Sequence, residues 1–154
     1  MSEKFVDINN VAKIWNGQLG VEDISLSFQK GAFVALLGPS GCGKSTTLRL
    51  LSGLEQADQG TIKINGVDVT DKPPSERNLS MVFQSYALFP HLTVKENVIF
   101  GLKVRKTPIK ERQEKLLRAL EITGLVGFEN RKPAELSGGQ RQRVALARAI
   151  VANQ

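Results

Sequence analysis

Gly38, Gly43, Lys44 and Ser45 stand at the spacing G-x-x-x-x-G-K-[ST] within the run Gly38-Pro39-Ser40-Gly41-Cys42-Gly43-Lys44-Ser45. These residue types at this spacing suit the holding of an anion with several oxygens. Glycines let the backbone turn back on itself and bring N–H groups against phosphate oxygens, where a Cβ would interfere. Lys44 offers a point charge to terminal phosphates and Ser45 a hydroxyl ligand for Mg²⁺. Thr46 continues into a helix whose first N–H groups and positive dipole end would meet the same anion. The chemistry is the binding of a nucleoside triphosphate with Mg²⁺.

Such a loop needs a strand before it and a helix after it. Ala32-Phe33-Val34-Ala35-Leu36-Leu37 is an apolar run of strand length, and Thr46 to Leu51 opens a helical pattern that stops at Gly53. Upstream, Phe5–Ile8 and Val21–Phe28 read as strands, with turn signals at Asn16-Gly17 and Lys30-Gly31. Trp15 sits in this sheet. It could stack on a nucleobase or serve as a core or edge aromatic. Gly60–Thr70 alternates around Asn65-Gly66 as a hairpin. After a loop at Asp71–Glu76, Leu79–Phe83 reads as a short strand ending on Gln84. Ligands gather at the ends of strands in open α/β sheets, so the Gln84 amide could ligate Mg²⁺ or orient a water; a solvated loop glutamine is the plain alternative.

Tyr86–Leu92 is an apolar, aromatic loop, which predicts either burial under neighbouring helices or docking to a partner. Thr93 and Glu96 have capping-box spacing and start a helix. A second helix follows Thr107, with Pro108 expected at its first position; Ile109, Leu116, Leu117 and Leu120 recur on one face, and Gly124 ends it. In Leu136-Ser137-Gly138-Gly139-Gln140, Ser137 and Gln140 again have capping-box spacing, and a helix runs on through Val151. Gly138 and Gly139 leave its first turn open. Arg141 and Arg143 beside that turn suit a helix start that meets an anion, a solvated cap being the alternative.

Bulk properties narrow the field. Length and a 41% hydrophobic content fit one globular domain. No apolar run approaches the roughly 20 residues that cross a bilayer. The alternation from Phe5 to Ile8 is no secretory signal, which predicts a cytoplasmic protein. The single cysteine, Cys42, excludes an internal disulfide and a cysteine zinc cluster; beside Lys44 at a helix start it is expected to have some thiolate character, an inert buried thiol being the alternative. The net charge is +6, but Lys and Arg between residues 103 and 148 interleave with Glu as on solvated helix faces. No aromatic platform accompanies them, so nucleic acid is not expected. His91 has no acidic or thiol partner at ligand spacing and reads as a loop residue.

The P-loop, Gln84 and Leu136-Ser137-Gly138-Gly139-Gln140, in this order and spacing, resemble the nucleotide-binding subunit of an ATP-binding cassette (ABC) transporter over essentially the whole chain. The resemblance implies an α/β fold: a P-loop NTPase (RecA-like) core with an N-terminal antiparallel β-subdomain and an inserted α-helical subdomain. The expected division is residues 1–84 for the β-subdomain and P-loop core, 85–135 for the helical subdomain, and 136–154 for the signature motif and its helix. ATP and Mg²⁺ are the implied cofactors. Trp15 becomes the adenine-stacking aromatic, Gln84 the Q-loop residue and second metal ligand beside Ser45, and Ser137, Gly138, Gly139 and Gln140 the cap on the γ-phosphate of a second subunit. The implied partner is another copy or a paired ABC subunit, head to tail. The stretch from Phe83 to Val98 is similar to importer-type subunits, which energise uptake from the cytoplasmic face of the inner membrane. It implies transmembrane permease subunits docking at residues 84–98 and, through them, a substrate-binding protein.

One departure stands out. In the family an apolar strand ending in Asp-Glu follows the signature helix, and a switch histidine comes later. Neither occurs in this chain, and His91 precedes the signature. The expectation is therefore a chain cut short after the signature helix, with the C-terminal half of the core and all catalytic residues missing. A fragment that binds nucleotide without turnover is the alternative to a transport-coupled ATPase, and a soluble ABC protein acting on nucleic acid is a third.

Overall fold

The computed structural model describes residues 4–152; residues 1–3 and 153–154, the ends of the expected span, lie outside the described residues. The chain forms two compact units, residues 1–79 and 80–154.

In the first unit, β1 (Lys4–Trp15) and β2 (Gln18–Gln29) form an antiparallel hairpin. Asn16 and Gly17 turn it with φ of 50° and 77°, the left-handed pair that matches the twist of the flanking strands. β1 runs well past the expected end at Ile8. Beyond Ile8 the strand takes a register shift before Val11, with Asn10 at φ 47°. β3 (Gln59–Ile64) pairs with the other edge of β1 and turns at Asn65-Gly66 into β4 (Val67–Asp68), giving the order β2-β1-β3-β4. Val6 pairs with Ile64 and Ile8 with Ile62, so the four share a face. That face is buried with Val11, Val21, Val69 and Leu50 of α1 (Lys44–Ser52).

Two expected strands are not strands. Ala32–Leu37 and Leu79–Phe83 have no ladder partner among the described residues. Phe33 is 98% and Leu37 92% exposed. An apolar run reports a preference for burial, but strand geometry needs a neighbour to complete its hydrogen bonds. The four-stranded sheet does not offer one.

In the second unit, α2 (Val94–Val104), α3 (Ile109–Thr123) and α4 (Gly138–Ala152) pack around Val98, Leu102, Leu120, Leu125, Val144 and Val151. The Thr93–Glu96 capping box is formed in both directions, and hydrogen bonds from the Thr93 N–H and hydroxyl hold the Glu96 carboxyl below its ordinary range. Pro108 takes the N-cap position of α3, one residue earlier than expected. The apolar face of α3 is narrower than the spacing implied: Leu120 is buried, whereas Ile109 and Leu117 are exposed.

Candidate nucleotide-binding site

The glycine run places a helix start where a ligand can reach it. Gly43 enters α1 at φ 89°, no side chain caps the helix, and its first turn holds no acid. Helix geometry leaves the N–H groups of Lys44, Ser45 and Thr46 without intrahelical acceptors, while that of Thr47 meets the Gly43 carbonyl at 2.8 Å. A Cβ on Gly43 would overlap Val21 Cγ1, so only glycine lets the loop settle onto β2. Lys44 curls back over the loop: its Nζ donates to the carbonyls of Gly38 at 2.7 Å and Pro39 at 2.6 Å, with Cys42 Sγ at 3.4 Å. The Cys42 thiol is exposed.

Ser40, Gly41, Gly43, Lys44, Ser45 and Thr46 line one side of a cavity of about 500 Å³, and Trp15, Gln18 and Gly20 of the β1–β2 hairpin line the other. The volume lies within the range of small-molecule sites. Trp15 is 39% exposed, and its indole faces this cavity and not the buried core. The ring sits against Gly20, where a Cβ would overlap Cζ3 and Cε3. Behind it, the Asp58 carboxylate accepts the Ile14 N–H at 2.7 Å and Lys13 Nζ at 3.1 Å, which together hold its carboxyl below the usual range. Asp58 thereby fixes the strand end that carries Trp15.

The donor set fits a triphosphate. Uncapped helix N–H groups and an ammonium face one part of the cavity, an aromatic face the other, and the Ser45 hydroxyl, exposed at the second helical position, suits Mg²⁺. Gln18, Gly20 and Asp58 were not legible as site residues. The signal was a glycine in a strand opposite an aromatic, the usual mark of close approach. Gly20→Ala is expected to displace the indole and weaken ATP binding by about fivefold or more, the low end of a stacking contact worth ~1–3 kcal/mol. Isothermal titration would show it, with the helical content of the protein unchanged.

The other expected site residues belong to the second unit. Gln84 is exposed in a turn whose Phe83 carbonyl accepts the Tyr86 N–H at 2.9 Å. Ser137, Gly138 and Gly139 are exposed at the start of α4 and Gln140 is half-buried. Ser137 N–H donates to Gln140 Oε1 at 2.8 Å, and Gln140 N–H donates to Ser137 Oγ at 3.3 Å, a reciprocal box. Arg141 and Arg143 both bond backbone carbonyls. Arg141 donates to the Leu136 carbonyl at 2.9 Å, and Arg143 to the Thr123 and Gly124 carbonyls, where the C-terminal end of α3 attracts a cation.

Comparison with known proteins agrees with this geometry. The family model described as "ABC transporter" matches residues 21–154. The chain is 51% identical over 150 residues to the spermidine/putrescine import ATP-binding protein PotA of Acidothermus cellulolyticus, covering 95% of this chain and 39% of that protein. It is 54% identical over 146 residues to the Fe(3+) ions import ATP-binding protein FbpC of Rhizobium etli, covering 95% and 41%. The chain thus spans about two fifths of the length of these curated relatives. Among solved structures, the ATP-binding cassette MJ0796, a dimer in a post-hydrolysis state bound to ADP and Pi, superposes with a TM-score of 0.85 at 34% identity, over 96% of this chain and 70% of that one. The shared fold is the α/β ATP-binding cassette, of which the antiparallel sheet, P-loop helix and helical unit are present here. With the family model running from Val21 to the last residue, the chain belongs to the ABC transporter family.

Proposed function

We propose that this chain is the ATP- and Mg²⁺-binding part of an ABC importer's nucleotide-binding subunit. It works at the cytoplasmic face of the membrane and couples ATP binding and hydrolysis to solute uptake through permease subunits. The observation that carries the reading is the single cavity bounded by the uncapped start of α1 and the indole of Trp15. Lys44 and the N–H groups of Lys44, Ser45 and Thr46 hold the phosphates, and Trp15 stacks on the base. Ser45 and Gln84 are the proposed metal ligands; the ion supplies charge neutralisation at the phosphates. Ser137 to Gln140 cap the nucleotide of a second subunit, and residues 84–98 receive the permease. No helix among the described residues is long and apolar enough to cross a membrane.

A second reading has its own support. Among the described residues the cavity lining holds no carboxylate, so these residues bind and orient a triphosphate without supplying a base for hydrolysis. Phosphate release by the purified protein separates turnover from binding alone. The two relatives named above, of similar identity, carry names for different solutes, a polyamine and an iron ion. This supports solute choice by other subunits.

Cys42 gives the direct test of occupancy. ATP in the loop is expected to slow alkylation of its exposed thiol several-fold, because the ligand covers the loop. Equal rates with and without ATP would contradict binding at this site.

A further inference from the structure

Tyr86 and Ala87 open the apolar loop in the left-handed region, at φ 63° and 45°. Neither is glycine, and alanine has no polar side chain to compensate, so this backbone persists only where its surroundings hold it. One side chain holds it directly, and a second holds the rest of the loop. From α4, Arg148 donates Nη1 to the Ala87 carbonyl at 2.8 Å and Nη2 to the Tyr86 carbonyl at 3.0 Å. Its guanidinium also lies 5.9 Å from the centroid of the Phe89 ring. From α2, the fully buried Asn97 accepts the Phe89 N–H at 2.8 Å and donates to the carbonyls of Phe89, Leu92 and Thr93 at 3.1, 3.1 and 3.0 Å. The half-buried Arg148 pairs with backbone oxygens and with no carboxylate among the described residues, so its charge serves the loop alone.

α4 is also the helix whose first turn carries Ser137 to Gln140. Arg148 lies ten residues beyond Gly138, about 15 Å along the same rigid rod. We propose that Arg148 is a positioning residue that fastens the Tyr86–Leu92 loop to the signature helix, with Asn97 fixing the loop's other end, so that ligation at the Ser137 end of α4 is felt in the loop. This rests on the proposed roles of Ser137 and of residues 84–98. The device gives the docking surface a fixed shape that moves with the helix meeting the nucleotide.

Hydrogen exchange on the purified protein tests it, with and without ATP and with Trp15 fluorescence as a separate record of nucleotide binding. In Arg148→Met the amides of Tyr86–Leu92 should exchange roughly tenfold faster, the scale of losing hydrogen bonds to a charged group, while those of α2 and α4 keep their protection. Arg148→Lys, which can reach one carbonyl but not both, should fall between and stands in if the methionine variant does not fold. ATP should raise loop protection in the unsubstituted protein and not in Arg148→Met, at unchanged Trp15 response. Loop exchange unaltered in a folded variant, or an ATP response that survives Arg148→Met, overturns the proposal. A silent Trp15 in the unsubstituted protein would instead overturn the nucleotide-binding reading beneath it.

Discussion

Lys44→Ala is expected to weaken ATP binding by roughly 10²-fold or more while leaving the fold intact. Each hydrogen bond to a charged group is worth ~1.5–3 kcal/mol, and the ammonium can contact two phosphates at once. Without nucleotide, Lys44 Nζ rests on the Gly38 and Pro39 carbonyls, both on exposed backbone. Removing it therefore returns those oxygens to water and costs the fold less than about 1 kcal/mol. Lys44→Arg should not rescue binding, since a planar fork cannot take the place of a compact point charge in so tight a loop. Titration with ATP alongside thermal unfolding separates the two effects. A large drop in melting temperature with unchanged ATP affinity would reverse the assignment.

The second large effect concerns the other end of the same helix. Arg77 is 3% exposed and spends its guanidinium on backbone oxygens: Nη1 on Leu50 and Leu51 at 2.7 and 3.1 Å, Nη2 on Thr70 at 2.9 Å, and Nε on Lys72 at 2.8 Å. It covers the last carbonyls of α1, where the helix dipole favours a cation. Gly53 ends the helix at φ 77°, and a Cβ there would lie 2.6 Å from Arg77 Nε. Burial pushes the Arg77 pKa down, partly offset by the charge of Asp71. Arg77→Met fills the space but takes the guanidinium donors from these carbonyls, of which Leu50 keeps the Gly53 N–H at 3.2 Å, and is expected to destabilise the first unit by about 3–5 kcal/mol. Against a typical total of ~5–15 kcal/mol, that is enough to shift a urea midpoint far to lower concentration. A midpoint within error of the unsubstituted protein would show that water can replace the guanidinium.

Local chemistry was the legible part of this chain. The Asn16-Gly17 and Asn65-Gly66 turns, the Thr93–Glu96 and Ser137–Gln140 boxes and the glycine C-caps at Gly53 and Gly124 each need only a few neighbouring residues, and each formed as its types dictate. What failed depended on distant partners. Ala32–Leu37 has strand composition without a strand beside it. Arg143 also bonds the C-terminal carbonyls of α3, a contact no local pattern announces, because the tertiary packing brings them within its length. Arg77, Asn97 and Arg148 look like ordinary surface-type residues in the sequence. Their roles arise from burial against backbone oxygens that lie far apart along the chain. At the candidate site, the loop and Trp15 were readable, whereas Gly20 and Asp58, which place the indole, were not.

The proposed triphosphate lies between Lys44 and the only tryptophan in the chain. An equilibrium titration followed by Trp15 fluorescence measures that directly. ATP should change the emission saturably, inorganic tripolyphosphate should compete with it, and Lys44→Ala should move the curve to roughly 10²-fold higher concentration. Emission unchanged at saturating ATP, or a curve that Lys44→Ala leaves in place, would contradict it.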